Sequence, residues 1–237
     1  MKKVFVLSLV WFAFTTSLLA QTKTVEKVLA VPANKKIDLK LTFGDNIKIT
    51  AWDKKEASIK IDYEINGGKL NDALTLDFKS DNTSARAKVD LDEELIKKGK
   101  AEDCPGSRGN YSMQINGDNG DHSYTCTKIN YEIFVPRDAD LTVETINGNI
   151  ELRGLTGPVH AKSISGFVDM NWSEKKGATV LLETITGEVY SDLGMEFPNG
   201  RKDAPMVGYE LKGNVNGGGS KINLESISND IYFRKQD

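Results

Sequence analysis

Cysteine, histidine and proline are scarce in this 237-residue chain, which has two, two and six of them. Two cysteines are too few for a structural zinc site, and Cys104 and Cys126 do not form a redox C-x-x-C motif. The histidines, His122 and His160, have no carboxylate or cysteine at metal-ligand spacing beside them and no evident triad partners. Each reads as an exposed loop residue. An excess of basic charge is also missing: 31 Lys and Arg stand against 34 Asp and Glu, a net of −3. Nucleic-acid binding normally needs a basic footprint, so it is disfavoured. The charges alternate in sign, as solvated strand faces do.

Long apolar runs are absent except for Val4–Leu19, which follows Lys2 and Lys3 and ends in Ala20 before Gln21-Thr22-Lys23. That layout is a secretory signal peptide over 1–20. Thr15, Thr16 and Ser17 and the lack of a basic stop-transfer flank disfavour a retained membrane helix, although Leu18 departs from the usual small residue. No stable membrane insertion is expected after cleavage, and the protein is expected to be exported, to the periplasm, the cell surface or the medium. Without Lys2 and Lys3, residues 21–237 carry 29 basic against 34 acidic side chains, a net of −5. They are long enough for one all-β domain. In an oxidising compartment Cys104 and Cys126 are expected to form a disulfide. Pro105–Thr125 is rich in turn residues, and closing that loop would contribute roughly 3 kcal/mol.

What the chain does have is a repeat. Four segments align without gaps: Val143-Glu-Thr-Ile-Asn-Gly-Asn-Ile150, Ala161-Lys-Ser-Ile-Ser-Gly-Phe-Val168, Leu182-Glu-Thr-Ile-Thr-Gly-Glu-Val189 and Leu224-Glu-Ser-Ile-Ser-Asn-Asp-Ile231. The first column is apolar, the third Thr or Ser, the fourth Ile and the eighth Ile or Val. The sixth holds Gly148, Gly166, Gly187 and Asn229, the residue types that best tolerate positive φ. Each unit reads as strand, turn, strand, and a fifth is expected within Gly208–Gly219, preceded by an insertion around Phe197–Pro205. Hairpins would explain the turns, but only stacking explains one residue type per column. A right-handed β-solenoid is therefore expected, with Thr145, Ser163, Thr184 and Ser226 lying over one another. The first and fourth columns differ in parity, so a bend is required if both face inward.

A second self-similarity links the halves. Val31-Pro32, Ile37, Leu39 and Gly44 match Val135-Pro136, Leu141, Val143 and Gly148 at an offset of 104; beyond the glycine, Ile47 and Ile49 answer Ile150 and Leu152, one residue out of register. The domain thus divides into a degenerate half, 21–136, carrying the 104–126 loop, and a regular half, 137–237. Asn46–Trp52 and Ala57–Tyr63 are expected to use the same architecture. One short helix is expected over Leu91–Lys98, capped by Asp90 and stopped by Gly99.

No segment carries recognisable chemistry. Ser173–Lys176 matches S-x-x-K without its companion motifs. Gly213–Lys221 lacks the ending of a phosphate loop, and Asn116–Asp121 lacks the closing Glu of a calcium loop. The column Glu144, Lys162, Glu183, Glu225 could belong to a polysaccharide-cleaving enzyme, but alternating charges also stabilise exposed strand pairs directly. No catalytic, cofactor-binding or metal residues are assigned.

Tyr131-Glu-Ile-Phe-Val-Pro136, Asp140–Ile150, Gly213-Asn-Val-Asn-Gly-Gly-Gly219, Ile222–Ile231 and the Asn46–Asp53 strand resemble the bacterial putative-adhesin family of β-strand-repeat envelope proteins. The resemblance implies a β-helix-like fold, a cell-envelope setting and no catalytic residues. The Cys104–Cys126 insertion departs from it. The expected function is a non-enzymatic scaffold presenting a surface, with Tyr190, Tyr232 and Phe233 exposed, to an envelope protein or glycan. The alternatives are a carbohydrate-active β-helix enzyme, with carboxylates converging in a cleft, and a small-molecule or lipid binder.

Overall fold

Alternation is the local rule that builds this molecule. In Glu56–Ile65 every second side chain is buried, as expected for strands with one face on a core. The structure, a computed structural model, describes residues 22–104, 110–116, 121–197 and 208–236. The expected signal peptide, the core of the calcium-like Asn116–Asp121 segment and most of the Phe197–Pro205 insertion lie outside the described residues.

The strands are β1 (Lys23–Ala30), β2 (Lys36–Leu41), β3 (Phe43–Trp52), β4 (Glu56–Ile65), β5 (Leu74–Ser80) and β6 (Ala85–Leu91). After helix α1 (Glu93–Ile96) come β7 (Asn110–Asn116), β8 (Asp121–Pro136), β9 (Asp140–Arg153), β10 (Val159–Ser165) and β11 (Val168–Trp172). The last are β12 (Ala178–Thr184), β13 (Val189–Ser191), β14 (Tyr209–Val215), β15 (Ser220–Ser226) and β16 (Ile231–Lys235). All belong to one large, open, mixed sheet, because the long β9 runs through both of its ladders. In the first ladder, β6, β2, β9, β10, β15 and β12 are parallel in that order, with β5 and β14 antiparallel at the two ends. In the second, β8, β3, β9, β11, β16 and β13 are parallel, and β4 and β1 extend the β8 end antiparallel. The buried residues of both ladders form one hydrophobic core.

The internal sequence offset is the strand register. Ile37 pairs with Leu141 and Leu39 with Val143; past an irregularity between Phe43 and Asn46, Ile47 pairs with Ile150 and Ile49 with Leu152. Spatial order, however, departs from chain order. The last segment, β15–β16, lies between β10–β11 and β12–β13, so Ser226 pairs with both Ser163 and Thr184. Two expected repeat units are ordinary antiparallel strands instead. The Gly208–Gly219 segment forms β14 on the edge of β12, and Ala57–Tyr63 lies in β4 between β1 and β8.

The parity of the repeat resolves at its turn. Thr145, Ser163, Thr184 and Ser226 point inward and are buried, whereas Ile146 and Ile185 of the fourth column point outward at 45% and 47% exposure. The buried parity changes across Ile146–Asn147. Three of these hydroxyls tie their turns to the neighbouring one, Ser163 donating to the Gly148 carbonyl at 2.8 Å, Ser226 to Gly166 at 2.9 Å and Thr184 to Asn229 at 2.8 Å, whereas Thr145 donates to Asn147 of its own turn at 2.8 Å. The same oxygens accept from their own turns, Ser226 from the Asn229 N–H and Thr184 from the Gly187 N–H, each at 3.1 Å. Of the five turn residues Gly44, Gly148, Gly166, Gly187 and Asn229, only Gly148 takes a positive φ, +147°. Close stacking explains the others better: a Cβ on Gly166 would lie 2.0 Å from the Gly148 oxygen, and one on Gly187 2.1 Å from the Asn229 oxygen.

The described residues of the insertion after β6 carry regular structure. Asp92, not Asp90, caps α1, its carboxylate accepting from the Glu94 and Leu95 N–H groups. The shift arises because β6 runs on through Leu91, which pairs with Leu74. Pro105–Thr125 is not a plain loop either, since β7 pairs antiparallel with β8. The Cys104–Cys126 disulfide is present, and the buried Asn66 braces it by accepting from the Cys126 N–H at 3.0 Å and donating to the Tyr124 carbonyl at 2.8 Å.

Ser163→Ala and Ser226→Ala each leave a buried carbonyl without its donor and should cost about 1–3 kcal/mol in denaturant unfolding. Gly166→Ala should cost at least as much, because the backbone oxygen it meets cannot swing away. The exposed Ile185→Ser should change stability by under about 0.5 kcal/mol. Equal losses at Ser163 and Ile185 would contradict the role of the hydroxyls.

Candidate functional site

Strands of the first ladder end where the repeat turns begin, so the two ends of the strands carry different chemistry. The repeat-turn end shows the column of Ile146, Ile164, Ile227 and Ile185. The opposite end carries the return turns, including 31–35, 52–55, 136–139 and 173–177.

On the outer face of the second ladder, Tyr190 of β13 pairs with Tyr232 of β16. Their rings stack at 5.2 Å with an 11° interplanar angle, and Phe167 meets Tyr232 edge-on at 6.1 Å. The Tyr190 hydroxyl donates to Glu188 at 2.6 Å and that of Tyr232 to Asp230 at 3.0 Å. The bond to Glu188 and then its charge push the Tyr190 phenol up to about 12. Tyr190 is 45% exposed, so this is an accessible aromatic step with acidic flanks. Phe233, expected beside them, is fully buried. Alternation within β16 sends its ring into the core while Tyr232 faces out.

Next to this step the buried Asp169 receives Arg153 at 2.6 Å and Arg234 on its other side. Two guanidiniums satisfy one carboxylate, which suits a fixed brace rather than a reactive acid. The repeat column of charges lies on the outer face of the first ladder, in the order Glu144, Lys162, Glu225, Glu183. Lys162 pairs with Glu225 at 2.9 Å. Partial burial raises Glu225, but its hydrogen bond to Lys162 and that residue's charge outweigh it and hold the carboxyl below its usual range. His160, a half-buried strand residue rather than a loop residue, sits 4.0 Å from Glu144 and 3.8 Å from Glu225. His122 is exposed, but it too lies in a strand, β8. The carboxylates of the repeat column stand in a row along a sheet face and do not converge in a cleft.

A cleft does exist, at the return turns, with a volume of about 630 Å³. The prolines of the two Val-Pro dipeptides found 104 residues apart meet there, and their turns are equivalent: the Lys35 N–H donates to the Pro32 carbonyl at 2.8 Å, the Ala139 N–H to that of Pro136 at 3.1 Å. Trp52 forms another wall. Its indole N–H closes the 52–56 turn on the Glu56 carbonyl at 2.8 Å, as Trp172 closes the next one on Lys176 at 2.9 Å. Phe134 stacks on the Trp52 ring at 5.4 Å, and the Lys54 ammonium lies 4.5 Å from its centroid. Five cations line the cleft, Lys35, Lys54, Lys55, Arg137 and Lys176, against Asp53 and Asp138. Sequence reasoning missed this site. Its visible signal was the lysine doublet shortly after Trp52 and after Trp172, Lys54-Lys55 and Lys175-Lys176.

The remaining motifs have structural roles. Ser173–Lys176 is a turn, with the Lys176 N–H donating to the Ser173 carbonyl at 2.9 Å. Gly217, Gly218 and Gly219 take positive φ, and a Cβ on Gly219 would lie 2.5 Å from the Gly177 oxygen. Among the described residues no group of three His, Cys, Asp or Glu is placed to hold a metal ion. No described helix is long and apolar enough to cross a membrane.

The Tyr190 environment gives a spectroscopic test. A phenol raised in the folded state favours folding below its unfolded value and loses that contribution as pH rises through the folded one. Tyrosinate absorbance should show Tyr190 ionising near pH 12. Glu188→Gln should bring that step back toward the ordinary value of about 10. A step unmoved by Glu188→Gln would contradict the assignment.

No family model matches the chain, and no curated protein does. Two solved structures are similar. One is described as a putative cell adhesion protein from Clostridium sporogenes, at 13% identity and a TM-score of 0.52, covering 90% of this chain and 100% of that one. The other, a putative adhesin from Bacteroides fragilis, is also 13% identical, covering 92% of this chain and 99% of that one, but its TM-score of 0.26 carries no argument. The chain shares an all-β fold with the first, over most of its length.

Proposed function

We propose that this is a non-enzymatic, exported cell-envelope protein, a β-solenoid whose stacked units display their outward side chains to a protein or glycan partner. The observation that carries this reading is the stacked Tyr190–Tyr232 step, an exposed aromatic surface on a sheet held rigid by parallel pairing. Exposed aromatic rings supply large contact area at low conformational cost, which suits recognition. The description of the Clostridium sporogenes protein as a putative cell adhesion protein agrees with an adhesin-like role at the cell surface or in the periplasm.

The enzymatic alternative fits less well. Glycoside cleavage needs two carboxylates facing one another across a bond. Here Glu144, Glu225 and Glu183 stand side by side, and Asp53 and Asp138 in the cleft are each bonded to a cation.

The test is capture of envelope fractions and a glycan array by the wild type and by Tyr190→Ala/Tyr232→Ala. The wild type should retain a defined partner, and the double variant should lose at least about tenfold in affinity. Equal capture by both would overturn the assignment of the surface. Release of new reducing ends from an envelope polysaccharide would overturn the non-enzymatic reading.

A further inference from the structure

The cleft at the return turns has a charge that opposes that of the chain. The protein carries a net −3, yet five cations and two carboxylates line this one cleft. Both carboxylates are already engaged, Asp138 with Lys35 and Asp53 with Arg137 at 3.2 Å. Lys55 and Lys176 have no ion-pair partner among the described residues. Lys54 pairs with the half-buried Glu56 at a long 3.7 Å and lies over the Trp52 ring. Two unpaired ammonium groups, Lys55 and Lys176, and the loosely held Lys54 thus line the same space.

Turn geometry does not require them. The equivalent return segments Gly154-Leu-Thr-Gly157 and Asn216-Gly-Gly-Gly219 make their turns with no lysine or arginine at all. Packing does not require them either, because Lys54, Lys55 and Lys176 are all exposed. Gathering like charges in a concave site raises the local positive potential and costs free energy unless an anion occupies it. Apart from Thr156, the remaining lining is apolar: Val31, Pro32, Ala33, Pro136 and Trp52. The indole N–H of Trp52 is already spent on Glu56, so it offers hydrocarbon contact only.

We infer that this cleft binds a compact saccharide carrying two or three carboxylate or phosphate groups. The charges match the unpaired Lys55 and Lys176 and the loosely held Lys54, and a sugar ring suits the apolar Trp52–proline wall. A volume of about 630 Å³ falls in the usual range for small-ligand sites. A long polyanion such as nucleic acid would extend beyond the cleft over a protein of net negative charge. The site is separate from the Tyr190–Tyr232 step, so either can fail without the other.

The test is isothermal titration calorimetry of the protein with a uronic-acid trisaccharide, a hexose bisphosphate and a neutral trisaccharide. One anionic ligand or both should bind one-to-one, with the neutral one at least about tenfold weaker. Raising ionic strength to roughly 0.5 M should weaken binding. Binding of the uronate alone assigns a carboxylated glycan, and binding of the bisphosphate alone a phosphorylated one. Lys55→Glu/Lys176→Glu exchanges two exposed side chains, so its melting temperature should match the wild type while affinity falls at least about tenfold. Lys98→Glu, near the end of α1, should leave affinity unchanged. The inference is overturned if neither anionic ligand binds, if the neutral one binds as well, or if Lys98→Glu weakens binding as much as the cleft variant.

Discussion

The structure depends on one interaction, repeated from unit to unit: a buried hydroxyl that donates to the turn carbonyl of the unit next to it. Ser163, Ser226 and Thr184 make this bond to Gly148, Gly166 and Asn229. Without it the turns at the buried Gly148 and Gly166 would lose a carbonyl partner, a penalty of about 1–3 kcal/mol each. The bond also sets spacing. It brings neighbouring turns so close that a side chain at Gly166 or Gly187 would strike backbone. Hydroxyl and glycine are therefore two halves of one device, and the Thr/Ser-x-x-Gly spacing is its trace in the sequence.

Parallel strands stacked this way leave hydrogen-bonding groups exposed at each end, a liability for aggregation. The chain deals with it by breaking its own order. At one end β4 and β5 pair antiparallel against the outermost parallel strands β8 and β6, with β1 added on β4, and at the other β14 pairs antiparallel along β12. The final segment then fills an interior position, with β15 between β10 and β12. Among the described residues, β12 reaches the rest of the first ladder only through β15, so the C-terminal strands complete the sheet rather than extend it.

How much of this was legible follows from what stacking does. Parallel in-register pairing puts like beside like, so the self-alignment of the sequence doubles as a contact map: Ile37 against Leu141, then Ile47 against Ile150 after the slip. Pairing direction leaves no such mark. Alternation in β4 and β14 looks the same whether a neighbour runs parallel or antiparallel, and both were misassigned as repeat units. Phe233 is buried because it directly follows Tyr232, and adjacent residues of a strand face opposite sides of the sheet. The basic cleft left only the lysine doublets as a trace for a different reason, since it is assembled from turns spread between Val31 and Lys176.

The two ends of the strands thus divide the surface into an isoleucine-bearing edge and a cationic one, with the aromatic step on the face between. All three positions depend on the spatial order of the units. That order is tested most directly by backbone amide contacts in solution, through nuclear Overhauser effects between neighbouring strands. The account predicts contacts linking β10 to β15 and β15 to β12, with none linking β10 directly to β12. Direct β10–β12 contacts, with β15 at an outer edge, would contradict it.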